Sequence, residues 1–313
     1  MSRLMFGLKG LDDYRHFFGT LRQLPNAIVH NFLIDLAQHE LDNGAGEAWA
    51  RKHSGEIDLL ARLAESDRAA EEYLRYRLIQ RPVTFCMLAL YGEQPGFFDQ
   101  FVTVSGRSDL LHNNGPSCVF LASHFGPQTA LPFLLASSGI RLTTVMAAPE
   151  RELVLSLLSS YCPNAASRIE LVGVPDRTVL TKCLNALRRG DSALLFMEFS
   201  ESDAPSKARA RFFEFDVPAP EGPFFLAALS GRPVVPVRAL HDGDRHLRLI
   251  IDDPIDIPRG RREELGEIIM DRWEWLEARV RDHPAQWLGW QLVAERFTAR
   301  TASKSCRRGA ATD

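Results

Sequence analysis

The sequence predicts an α/β fold, a mainly parallel central sheet flanked by helices with an N-terminal helical cap, and three observations lead to it. From about position 102 onward, short apolar runs bounded by turn residues alternate with segments of helical period. That alternation is the pattern of parallel strands joined by crossover helices. Residues 12–92 instead show helical periodicity, clearest over 57–64 and around 73–78. The chain has 313 residues of which 45% are hydrophobic, enough to bury one large core. The expected organisation is a helical region over 1–95, an α/β body over 96–298, and a polar, small-residue-rich tail over 299–313.

Within the body, strands are expected at 118–123, 142–147, 169–173, 193–198, 234–239 and 246–251. The intervening helices are expected at 128–138, 151–160, 177–189 and 223–230, with a long one at 263–282. The runs Cys118-Val119-Phe120-Leu121-Ala122 and Ala193-Leu194-Leu195-Phe196-Met197 are apolar without alternation, as strands covered on both faces must be. His241 and His246 flank Asp242-Gly243-Asp244-Arg245, which reads as a hairpin turn rather than a metal site.

His124 stands where the first of these strands gives way to a helix. Active residues of open α/β sheets gather at the carboxyl ends of strands, and imidazole is the side chain best poised near neutral pH to take a proton from a hydroxyl or amine. Glu198 ends another apolar strand and can reach the same cleft from a neighbouring strand end. It either orients His124 or bonds nearby backbone. Glu201 and Asp203 follow as weaker candidates, and Thr129 either hydrogen-bonds near the imidazole or sits in the first turn of the next helix.

A net charge of −3 does not suggest a nucleic-acid partner. Cys86, Cys118, Cys162, Cys183 and Cys306 are odd in number and scattered, favouring a reducing compartment and no cysteine zinc site. No glycine-rich phosphate loop or histidine–carboxylate metal spacing is found, so no cofactor or metal is expected. No run reaches the 18 to 20 apolar residues that about 30 Å of hydrocarbon requires, and the start lacks a signal-peptide core. A cytoplasmic protein is expected. Leu4, Met5, Phe6, Leu8, Leu11, Phe17, Phe18 and Leu21, set among Arg3, Lys9, Arg15 and Arg22, form a face that packs on the core or lies on the inner surface of a membrane.

Three segments resemble the lysophospholipid acyltransferase superfamily, in particular the lipid A late (lauroyl/myristoyl) acyltransferases. They are Val119-Phe120-Leu121-Ala122-Ser123-His124-Phe125-Gly126, similar to the catalytic histidine box; the stretch from Leu195 through Arg211-Phe212-Phe213 and Pro220-Glu221-Gly222-Pro223 to Val237; and His283-Pro284-Ala285-Gln286-Trp287-Leu288-Gly289-Trp290, similar to a closing tryptophan-rich segment. The resemblance implies transfer of an acyl group from a thioester, carried by acyl carrier protein or coenzyme A, to a hydroxyl or amine of a small-molecule or lipid acceptor. His124 is then the general base, backbone amides hold the oxyanion, and the thioester is a co-substrate.

Gly126 and Gln128 of the box, and Glu221 and Gly222 of the acceptor block, are the substrate-binding residues the resemblance suggests. Lys207, Arg209 and Arg211 form a basic stripe that is either a solvated loop or a contact for coenzyme A phosphates or an acidic carrier surface. There are departures. Thr129 stands where the family has Asp or Glu, an expected arginine is replaced near Ala147-Ala148-Pro149, a basic pair is replaced by Gln291-Leu292-Val293, and the usual N-terminal membrane anchor is not recognised. The altered box keeps open a noncatalytic acyl-chain or carrier-binding module and a thioesterase-like hydrolase.

Overall fold

The structure, a computed structural model, describes residues 11–64, 66–111, 115–198, 208–243, 245–258 and 262–294. Its strands are β1 (Val102–Gly106), β2 (Val119–Ala122), β3 (Leu142–Ala147), β4 (Ile169–Val174), β5 (Ser192–Phe196), β6 (Arg209–Phe212), β7 (Phe215–Pro218), β8 (Val234–Asp242) and β9 (His246–Ile251). Seven of them form one sheet in the order β1-β9-β8-β2-β5-β3-β4. The pairings of β8 with β2, β2 with β5, β5 with β3 and β3 with β4 are all parallel. β9 returns antiparallel to β8 through the expected hairpin, and β1 lies parallel to β9 at one edge.

The sheet is covered on both faces, and the unbroken apolar runs follow from that. Successive side chains of a strand point to opposite faces. Phe120 and Ala122 of β2 face a core shared with Tyr14, Phe18, Val29, Leu33, Val83 and Leu134. Val119 and Leu121 face the other core, built on Ala193, Phe224, Trp273, Leu276 and Trp287. The helical cap includes Leu11–Leu21, Asn26–Glu40, Ser54–Ala64, Asp67–Arg75 and Arg81–Tyr91. It contributes to both cores, since Leu59, Leu60, Tyr73 and Tyr76 join the second. The cap and the sheet therefore share continuous apolar interiors. Phe18 and Leu21 are buried and Phe17 packs against the core, so this part of the N-terminal apolar face is turned inward. Leu4, Met5, Phe6 and Leu8 lie outside the described residues, as do Cys306 and the tail.

Two elements differ from expectation. β1 was not anticipated, because Val102-Thr103-Val104-Ser105-Gly106 is short and half polar, as an edge strand pairing on one side only can be. Residues 209–218, expected as loop or basic stripe, form the antiparallel β6–β7 hairpin. Phe212 and Val217 are buried, and Phe212 packs 5.3 Å from Trp273 and 5.1 Å from Trp287 between ring centres. Cys86, Cys118, Cys162 and Cys183 are buried free thiols, and desolvation pushes the pKa of Cys118 up to about 12. Among the described residues no helix is long and apolar enough to cross a membrane.

Candidate active site

The register of β2 and β5 places His124 beside Glu198. Ala122 is paired with Phe196, and the Met197 amide continues the ladder by donating to Ala122 O at 2.9 Å. Two residues beyond that pair on either strand come His124 and Glu198. Residues two apart on a strand share a face, so both side chains emerge on the same side at the carboxyl edge of the sheet.

Glu198 is fully enclosed, with no exposed side-chain surface. Its Oε2 lies 3.0 Å from His124 Nδ1 and accepts the His124 backbone N–H at 2.8 Å. Oε1 accepts that same N–H at 2.9 Å and the indole Nε1–H of Trp287 at 2.8 Å. The carboxylate thus bonds both the imidazole and the local backbone. An ionised carboxylate can only accept, so beside it a neutral imidazole donates through Nδ1 and leaves Nε2 as its acceptor. The His124 side chain is 30% exposed, and its ring lies 4.7 Å from that of Phe196.

A second layer fixes the loop. The Leu288 amide donates to His124 O at 2.8 Å, the Gly126 amide donates to Gln286 O at 2.7 Å, and Phe125 bridges Trp287 between them. The Gln286 side chain accepts from the His241 amide at 2.8 Å and donates to His241 O at 3.0 Å, tying the clasp to β8. The buried Tyr76 hydroxyl reaches down from the cap and donates to Gly126 O. Burial raises the pKa of that phenol, so it stays a donor throughout the ordinary pH range.

Gly126 has a close-packing reason. At φ 52° it lies so near β8 that a Cβ would meet Ala239 O at 2.0 Å. Backbone on both sides cannot yield, so Gly126→Ala should destabilise the fold by several kcal/mol through combined overpacking and left-handed strain. Gly44, at φ 90° with open space about it, is the control. Gly44→Ala should cost only about 1–2 kcal/mol, and urea unfolding of the two variants distinguishes the contributions.

The remaining expected residues are placed less centrally. Thr129 is half-buried in the turn Gln128–Ala130 and makes no hydrogen bond to His124 among the described residues. Gln128 is buried with its Oε1 unpartnered. Glu221 and Gly222 begin the helix Gly222–Ser230, which leads into β8. A crossover helix runs back against its strands, so this start lies toward the carboxyl edge that carries His124. Arg209 grips Asp216 across the hairpin at 2.7 Å, which holds the Asp216 carboxyl below its usual range, and Arg211 donates to Phe213 O at 3.2 Å. Neither arginine contacts His124 or Glu198. Lys207, Glu201 and Asp203 lie outside the described residues.

The roles of Trp287, Gln286 and Tyr76 were not read from the sequence, although the tryptophan-rich segment 283–290 carried the signal for two of them. The amides of the histidine loop are engaged. Those of His124, Phe125, Gly126, Gln128 and Ala130 all donate within the protein.

No family model matches the chain, and no curated protein matches it either. Among solved structures, the 1-acyl-sn-glycerophosphate (LPA) acyltransferase PlsC from Thermotoga maritima is similar at 16% identity. The match covers 75% of this chain and 98% of that one, with a TM-score of 0.38.

Proposed function

We propose that this protein is an acyltransferase that moves an acyl group from a thioester donor to a hydroxyl or amine acceptor, with His124 as general base and Glu198 as its orienting carboxylate. The observation that carries this reading is the buried Glu198 carboxylate on Nδ1 of a partly exposed histidine at a strand end. In this reading Glu198, two residues beyond β5, supplies the negative charge that Thr129 cannot. Resemblance of the segments around His124, Glu221 and Trp287 to lipid A acyltransferases supports the reaction class.

The acceptor O–H or N–H donates to His124 Nε2. As the acceptor attacks the thioester carbonyl, its proton passes to Nε2 and the imidazolium is stabilised by Glu198. Collapse of the tetrahedral intermediate breaks the carbon–sulfur bond, and the departing thiolate takes the proton back from Nε2. No acyl-enzyme forms. The donor is an acyl carrier protein or coenzyme A thioester, and the acceptor a small molecule or lipid.

One observation favours a second reading, a noncatalytic acyl-chain or carrier-binding module: the histidine-loop amides of His124, Phe125, Gly126, Gln128 and Ala130 donate within the protein and are withheld from an oxyanion. Intact mass spectrometry of candidate acceptors incubated with the protein and acyl thioesters separates the possibilities. Acceptor acylation supports the transferase. Free acid alone replaces it with a hydrolase, and binding without turnover replaces it with the module.

A further inference from the structure

The outer edge of β4 carries a polar groove of about 580 Å3, lined by Arg151, Glu170, Gly173, Asp176, Arg177 and Lys182 among others. Its charges divide into two kinds. Lys182 is paired with Asp176 at 2.7 Å, and Glu170 is engaged by Arg189 at 3.4 Å and by the Thr143 hydroxyl at 3.0 Å. Arg151 donates through Nε to Leu171 O at 2.7 Å and has no carboxylate partner among the described residues. Arg177 is exposed and has none either. Among the described residues, two guanidinium groups therefore line one groove without a carboxylate partner, beside an acid paired with a lysine.

The position of the groove gives this meaning. β2, β5, β3 and β4 are consecutive parallel strands, so Gly173 and Asp176 lie at or beyond the same carboxyl edge as His124. Three strand spacings separate β4 from β2, about 14 Å at 4.7–4.9 Å each. A pantetheine arm places about thirteen bonds between its sulfur and its phosphorus. That is the backbone of roughly four extended residues, or about 15 Å.

We propose that the groove along β4 binds the phosphate of the donor's phosphopantetheine arm through Arg151 and Arg177, while the arm lies along the sheet edge and delivers its thioester to His124. The proposal rests on the thioester-donor reading above. Guanidinium groups suit the ligand because their paired N–H donors match phosphate oxygens. It also moves the anion contact away from Arg209, which is engaged by Asp216.

Calorimetric titration of the full chain with phosphopantetheine, and with pantetheine lacking the phosphate, tests it directly. The phosphorylated arm should bind at least about tenfold more tightly, and added salt should shrink that advantage. Arg177→Glu should abolish the advantage. Arg188→Glu, an equal charge change at the far end of the helix Val179–Arg188, should leave it intact. Equal binding of the two arms, or an advantage that survives Arg177→Glu, overturns the proposal.

Competition by coenzyme A and by phosphopantetheinylated acyl carrier protein identifies the source. Displacement by either supports the site and names the donor, and displacement by neither overturns it. Transfer from an acyl pantetheine thioester, which carries no phosphate, is measured alongside. Transfer without phosphate-dependent binding removes the groove and leaves the acyltransferase standing. Phosphate-dependent binding without transfer from any thioester keeps the groove and removes the enzyme.

Discussion

His124→Ala should lower acyl transfer by at least about a hundredfold, the usual contribution of a positioned general base, while the protein remains folded. The fold should survive because the bonds that hold this loop do not use the imidazole. The His124 amide still donates to Glu198, its carbonyl still accepts from Leu288, and the neighbouring Gly126 amide still reaches Gln286. Single-turnover transfer, with circular dichroism and urea unfolding on the same preparation, checks both halves. Full turnover in the folded variant would remove His124 from the chemistry.

The second large effect belongs to Glu198, and it is double. Glu198→Ala deprives the fully buried Trp287 indole and the His124 amide of their acceptor. Each buried donor left unpaired costs about 1–3 kcal/mol, so a loss of several kcal/mol is expected before any cavity contribution. Glu198→Gln keeps the volume and one acceptor oxygen but places an amide where a negative charge faced the imidazole. It should retain more stability than the alanine variant yet lose about 10²- to 10⁴-fold in turnover, by analogy with neutralising the carboxylate of a catalytic triad. Thr129→Ala should stay within a few-fold of wild type, since its hydroxyl does not engage His124. Comparable losses in Glu198→Gln and Thr129→Ala would show that the carboxylate is not the orienting group.

Much of this arrangement was legible because parallel strands leave plain marks. Continuous apolar runs located β2 and β5, and their ends identified His124 and Glu198 as residues able to meet. The sequence alone could not decide that they do meet, because adjacency depends on strand order. β5 follows β2 by some 70 residues, with β3 and β4 intervening in the chain but lying beyond β5 in the sheet. Trp287 was harder still. Its indole bonds a carboxylate 89 positions earlier, and no local periodicity encodes that contact. The β6–β7 hairpin was obscured by its composition. Arg209 and Arg211 alternate with Ala210 and Phe212, a two-residue period that reads as a strand once Phe212 is known to be buried, and as a charged loop if only the arginines are weighed.

The clasp between residues 284–290 and the histidine loop also has a consequence for biosynthesis. A nascent chain emerges N-terminus first, and domains begin to organise as they appear. His124 and Glu198 leave the ribosome well before Gln286, Trp287 and Leu288, whose bonds close the loop. Throughout that interval the loop carbonyl and amide await partners and the carboxylate lacks its indole donor. Such long-range closure slows folding. The edge that carries His124 can therefore close only after the last part of the body has emerged.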